Sequence, residues 1–392
     1  MSFEKDRRIA AIDWMRGFVM ILMAVDHASQ TWNGGRVAAD SAYLMNPSSG
    51  GPLWVPGSEI DGLQFFTRWI THLCAPTFLF LSGTSLAMSF EKRRAQGMSE
   101  RDLDLHLLIR AVVILGFEGL LSLMAYQGVL ILQVLFAIGA SMIAMVLLRR
   151  LPTRALVAIG LLWLAGSELV LTSFFPIASP IEPTGTRPLW QLLFFVPAYG
   201  SPVTVIYPMT HWLAMMILGW AFGRWLLDRP PNEHGAQEAE KLLLLSGLTG
   251  LLAWAYLRSR NAYGNMELLR DDTSVIQWLH VSKYPPALTY SCLELGLMAL
   301  FLVGFMQVER RLKSAPSPWN PLLVFGQTAL FFYMLHFVLL GGSAITITGG
   351  MMRRGLGEAW IAAGVVLVVL YPICIGFRAL KRNHPNSFLQ YI

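Results

Sequence analysis

The chain of 392 residues is 55% hydrophobic and only 14% charged, with a mean hydropathy of +0.51. Soluble domains carry about 25% charged residues, so this composition excludes a water-soluble globular enzyme and fits a membrane protein with many spans. The net charge of +6 does not indicate a nucleic-acid partner, because the basic residues cluster in short segments between apolar runs, as the positive-inside rule requires.

A membrane helix needs about 20 apolar residues. About ten runs meet that need: 9–31, 63–90, 107–127, 129–148, 155–175, 204–227, 242–260, 285–307, 321–345 and 358–379. The expected fold is all-α, one polytopic bundle over residues 1–392. The first run is long and charged and has no small-residue cleavage site, so it is expected to stay as the first helix. Lys5, Arg7 and Arg8 precede it, and Lys92, Arg93 and Arg94 follow the second run. Arg149, Arg150 and Arg154 follow the fourth, Arg224 and Arg229 close the sixth, Arg310, Arg311 and Lys313 follow the eighth, and Arg378, Lys381 and Arg382 the tenth. Every second connection is basic, which predicts that both termini are cytoplasmic. The opposite connections, 32–62, 176–203 and 261–284, are rich in Pro, Gly and aromatic residues. They read as structured outer loops, serving either as interfacial caps or as a substrate vestibule. Cys74, Cys292 and Cys374 each fall in an apolar run and read as buried thiols.

Ionisable side chains inside such runs cost free energy and mark function by default. The first run, "IDWMRGFVMILMAVDH", carries Asp13, Arg16, Asp26 and His27. At about 100° per residue, the eleven steps from Arg16 to His27 return to within about 20° of one direction. Asp13, Arg16, Met20 and His27 therefore form a stripe from the cytoplasmic third to the outer third of the helix, and Asp26 turns away from it. A stripe this narrow should face protein or a water-filled path; a plain i,i+3 ion pair between Asp13 and Arg16 is the alternative. In the second run Pro76 lacks an N–H, which predicts a kink and an unpartnered carbonyl at His72. His336 and His211 also fall in the outer half, so four histidines on four helices suggest one polar cavity. Glu294 lies near mid-membrane, with Lys283, Tyr284, Pro285 and Pro286 at its outer entrance. Glu118 and Glu168 read as carboxylates buried within the bundle. No HExxH, phosphate loop, GxGxxG or GxSxG motif occurs, which weakens zinc, nucleotide-driven and serine-hydrolase chemistries.

The opening segment resembles the first helix of transmembrane acyltransferases: an acidic residue, then Arg-Gly, then a polar residue eleven positions past the Arg, here Asp13, Arg16-Gly17 and His27. "FFTRWITHLCAPTFLFLSG", "VSKYPPALTY" and "VFGQTALFFYMLHF" resemble bacterial members of the heparan-α-glucosaminide N-acetyltransferase catalytic-domain family. Two positions depart from that family: residues 55–66 hold no histidine where the lysosomal enzyme keeps its active one, and His72 stands where that enzyme has Asp. The resemblance implies transfer of an acetyl group from cytoplasmic acetyl-CoA to an amine or hydroxyl of a sugar or envelope glycan on the outer side of a bacterial inner membrane. The catalytic candidates are His27, His72 and Arg16, and the substrate-side candidates are Lys283, Tyr284, His336, Asp13 and Glu294. No metal is expected, and a homodimer is compatible with the family. The rival reading is a transporter or flippase of a small polar or lipid-linked substrate, whose path the same polar stripe would line.

Overall fold

The computed structural model describes residues 9–45, 53–125, 129–175, 187–200, 202–230, 232–312, 315–385 and 387–391. Lys5, Arg7, Arg8 and Lys313, and the loop segments 46–52 and 176–186, lie outside them.

The described chain is helical almost throughout: α1 (Ala10–Trp32), α2 (Gly62–Trp69), α3 (Cys74–Ala95), α4 (Glu100–Ala125), α5 (Val134–Leu148), α6 (Thr153–Phe174) and α7 (Leu189–Phe194). There follow α8 (Met209–Leu227), α9 (Glu233–Arg260), α10 (Val275–Leu279), α11 (Leu288–Arg311), α12 (Pro321–Gln327), α13 (Ala329–Thr348) and α14 (Leu356–Asn383). Seven helical stretches are long and apolar enough to cross a membrane: α2 with α3, α4, α6, α9, α11, α13 and α14. The other three predicted spans fall on α1 and α8, which are not among these seven, and on α5, which has only 15 residues.

The helices divide into an inner and an outer set. In α1, 17 of 23 residues are buried, charged ones included. By contrast, α4, α6, α9 and α14 turn Leu123, Leu162, Leu252 and Val368 outward, as helices do where lipid replaces protein as the neighbour. The inner set packs closely through small residues. A Cβ built on Gly219 would come 1.9 Å from the Phe80 carbonyl oxygen, and one on Gly83 2.1 Å from that of Met216. Thus "GWAFG" on α8 lies directly against the backbone of α3. In the same way α12 crosses α1, with Gly17 against the Leu322 carbonyl and Gly326 against that of Asp13. This crossing explains the glycine that follows Arg16. The N-terminus of α1 is capped from α11, since both Glu309 carboxylate oxygens accept from the Ala10 and Ala11 N–H groups at 2.9 Å.

Three expectations are corrected. The chain is not strictly all-α: β1 (Leu130–Leu132) pairs in parallel with β2 (Val203–Val205), where two apolar segments run extended before α5 and α8. The predicted span 129–148 therefore starts as a strand. Its helix begins only where Glu118 accepts the Gln133 N–H, so that carboxylate caps α5. The spans 63–90 and 321–345 are each broken, at 70–73 and at Thr328. The first break follows from Pro76, and Tyr290 Oη donates to the otherwise unpartnered His72 carbonyl at 2.9 Å.

Candidate active site

Two connected regions hold the polar residues. The first is a cavity of about 1460 Å³ between α1, α3, α4, α5 and the α12–α13 pair. Its walls carry six basic residues, Arg16, Lys92, Arg94, Arg110, Arg224 and Lys381, against three acidic ones, Asp13, Glu91 and Asp228. The excess is positive, and the site therefore favours an anion. Arg16 pairs with Asp13 at 3.1 Å and also reaches Ser85 and the Leu81 carbonyl of α3. The i,i+3 pair is thus formed, and it sits on the cavity wall together with Met20. Along α1 the cavity extends from Ile9 to Met23, about 21 Å at 1.5 Å per residue.

The second region begins one helical turn beyond Met23. His27 Nδ1 lies 2.6 Å from His336 Nε2, and His336 Nδ1 lies 3.0 Å from the Phe332 carbonyl. A carbonyl can only accept, so His336 carries its proton on Nδ1 and presents a lone pair at Nε2. His27 must then donate from Nδ1, which leaves His27 Nε2 as the basic nitrogen. That nitrogen has no hydrogen-bond partner among the described residues. Tyr333 stands between cavity and imidazoles: it lines the cavity, and its ring centroid is 6.1 Å from that of His27 and 5.5 Å from that of His336.

Beside His27 lies a buried ion network. Arg68 donates from Nη1 to both Asp26 oxygens at 2.9 Å and from Nη2 to Asp40 at 2.7 Å. Arg36 closes on Asp26 at 2.7 Å. The two guanidinium groups balance the two carboxylates, as burial demands. His72 Nε2 donates to Asp40 at 3.1 Å, while its Nδ1 is buried with no partner among the described residues. Tyr284 Oη accepts from Arg68 at 3.2 Å and approaches Tyr207 Oη at 3.4 Å. The Lys283 N–H donates to the Asp40 carbonyl, and its ammonium lies over the Tyr284 ring, 5.4 Å from the centroid. In the loop, burial alone would raise the Asp40 carboxyl, but Arg68 and His72 hold it well below the usual carboxylate range.

The structure thus gathers His27, His336, His72, Lys283 and Tyr284 in one place and sets Asp13 and Arg16 in the cavity below. Glu294 is buried on α11, with both carboxylate oxygens unpartnered among the described residues. His211 stands apart against Trp163 of α6, so it does not share the polar site expected of four histidines. Sequence reasoning missed Arg36, Asp40, Arg68 and Arg110, and it set Asp26 aside, although Asp26 does turn off the stripe. It turns toward Arg68 and Arg36. Arg68 lies four residues before His72 in an otherwise apolar run, a signal that could have been read.

The described loops 33–45, 53–61 and 261–287 close over this network. His280 Nε2 donates to the Ala39 carbonyl at 2.9 Å, and Ser41 Oγ donates to that of Tyr284. The Gly57 N–H meets Asp271 at 2.8 Å, and Trp54 packs on His280.

Apolar outward-facing helices around buried histidines, paired charges and a basic cavity define an integral membrane protein with a polar interior. The family model of heparan-alpha-glucosaminide N-acetyltransferase, catalytic, matches residues 55–257, just over half of the chain, and the chain belongs to that family. It is a membrane acetyltransferase by family. The match runs from the loop before α2 into α9 and leaves α1, Lys283 and His336 outside. No curated protein matches the chain.

Proposed function

We propose that this protein moves an acyl group, acetyl in the first instance, from an acyl-CoA that enters at the cytoplasmic face to an amine or hydroxyl of a sugar or envelope glycan held on the outer side. The reading places ten spans in a bacterial cytoplasmic membrane with both termini inside. One observation carries it: a basic cavity follows α1 inward and stops a single helical turn, about 6 Å, short of the His27 imidazole, whose bond from Nδ1 to His336 leaves Nε2 as the basic nitrogen.

The roles follow from the placement. The phosphates of the donor sit among Arg110, Arg16 and the basic residues at the mouth, and the thin pantetheine arm extends along α1. From Arg16 to His27 is about 16 Å of helix. His27 Nε2 takes the proton of the acceptor N–H or O–H as that atom attacks the thioester carbonyl carbon. The C–S bond breaks, and the imidazolium returns the proton to the leaving thiolate, giving free CoA thiol. His336 holds the His27 tautomer by accepting from Nδ1, the orienting role a catalytic histidine needs. His72, whose free nitrogen is enclosed, positions Asp40, while Lys283 and Tyr284 contact the acceptor. Asp13 orients Arg16. Glu294 supplies a carboxylate behind the acceptor site.

The test is calorimetric titration of the purified protein in nanodiscs with CoA and acetyl-CoA, joined to transfer of labelled acetyl to glucosamine. Binding of both ligands is expected, with Arg110→Met weakening both and His27→Ala abolishing transfer while binding persists. Absence of CoA binding, or full transfer by His27→Ala, overturns the reading and favours a transporter.

A further inference from the structure

The buried charges beside His27 do not balance. Arg36 and Arg68 are matched by Asp26 and Asp40, with contacts of 2.7 Å and 2.9 Å to Asp26 and 2.7 Å to Asp40. Lys283 brings a third cation to the same place, in a residue only 2% exposed. Its ammonium has no hydrogen bond or ion pair among the described residues. The Tyr284 ring, 5.4 Å away, is its aromatic contact, and a ring face does not replace a counter-ion. Glu294 is within reach of the same charge, yet no ion pair joins the two, and both Glu294 oxygens are unpartnered among the described residues. A buried cation left without a counter-ion costs free energy, which a bound anion relieves. The charge of Lys283 also reaches His27 and Asp40, so the uncommitted ammonium shares its surroundings with the imidazole that faces the acceptor.

We infer that Lys283 anchors an anionic group of the acceptor, and that the preferred acceptor is a sugar bearing a carboxylate or phosphate rather than a neutral sugar. The inference rests on the acetyl-transfer reading and names the acceptor class for it. The guanidinium groups of Arg36 and Arg68 are already engaged by carboxylates, whereas the ammonium brings three donors to oxygens of the incoming anion. Holding the sugar by that group fixes the amine or hydroxyl that attacks relative to His27 Nε2. The bonds made and broken in transfer are unchanged.

The experiment uses the full-length protein in nanodiscs at saturating acetyl-CoA and compares initial rates of labelled acetyl transfer to glucosamine, glucosamine 6-phosphate and muramic acid. A hydrogen bond between charged groups is worth about tenfold or more in affinity, so kcat/KM for the two anionic sugars is expected at least about tenfold above that for glucosamine, mainly through a lower KM. Lys283→Met should bring that ratio down to about one, and Lys283→Arg should keep part of it. Inorganic phosphate should raise the KM for glucosamine 6-phosphate in the native protein, a readout that stands even where the methionine variant does not fold. Equal kcat/KM for the three sugars, or no effect of phosphate, overturns the anchor and leaves acetyl transfer standing. A preference that survives in folded Lys283→Met protein also overturns it, because the anion is then held elsewhere. If acetyl-CoA does not bind, or binds and none of the sugars is acetylated, the transfer reading falls and the anchor with it.

Discussion

His27 and His336 share a single proton between nitrogens 2.6 Å apart, so the two positions should respond differently to substitution. His27→Ala removes the open nitrogen and is expected to cut turnover about 10²–10⁴-fold, the usual worth of a general base, with donor affinity unchanged by calorimetry. His336→Gln keeps an acceptor for the His27 N–H and should retain part of the activity that His336→Phe loses. Arg68→Met leaves Asp26 and Asp40 buried without their shared partner. A loss of about 3–5 kcal/mol is expected, read as a lower melting temperature, and Arg68→Lys should recover little because one ammonium cannot bridge both carboxylates. Helical angle and depth grouped His27, His72, His211 and His336, of which His211 stands apart against Trp163, and Pro76 marked the carbonyl that Tyr290 meets. Asp40 and Arg36 were illegible because they lie in a loop, where no period tells which way a residue turns. The angle of Asp26 gave its face but not what stands opposite. In that loop layer, burial lowers the His280 imidazole, partly opposed by its bond to the Ala39 carbonyl. A base whose folded value is depressed contributes stability above its unfolded value, near 6.5, and loses it as pH falls below. Protection against amide exchange in residues 33–45, taken relative to the intrinsic rate at each pH, should therefore fall below about pH 6.5 in the native protein and much less in His280→Gln.

At the scale of helices, the decisive contacts are places where two backbones touch. Gly17→Ala puts a methyl on the Leu322 carbonyl, and Gly219→Ala puts one on that of Phe80. Each must push two helices apart, a cost of about 1–3 kcal/mol, and thermal unfolding in one detergent should show it. Gly116, which meets nothing within 4 Å, is the control whose alanine variant should unfold no earlier than the native protein. Seven of the apolar runs return among the described residues as helices long and apolar enough to cross a membrane, and they were legible because span length is a property of composition. The breaks at 70–73 and Thr328 were only half legible. Proline announces the first, whereas the second depends on α12 crossing α1, a tertiary contact between residues some 300 positions apart. The strand before α5 was missed because "LILQVLFAIG" is apolar apart from Gln133, and such a run carries no period that separates strand from helix.

Orientation belongs to the whole molecule. The positive-inside rule applied to the basic connections predicts the α3–α4 turn inside and the 53–61 loop outside. Cysteine variants at the exposed positions Ser99 and Ser58 can read this with a membrane-impermeant maleimide on intact cells. Label is expected at Ser58→Cys and withheld from Ser99→Cys until the membrane is opened; the reverse result would invert the donor and acceptor sides. The segregation of lipid-facing from site-bearing helices was not legible, because hydropathy counts apolar residues without saying whether they meet lipid or protein. The packing of α1 has a consequence for how the protein is made. This helix is made long before its partners: its cap is Glu309, its crossing partner is Leu322 and the partner of its histidine is His336. During translation its carboxylates and imidazole wait in the bilayer, or beside a chaperone, until the last third of the chain arrives. A chain that has not yet reached α13 therefore lacks the partner of His27, and the proposed site can form only after His336 has been made.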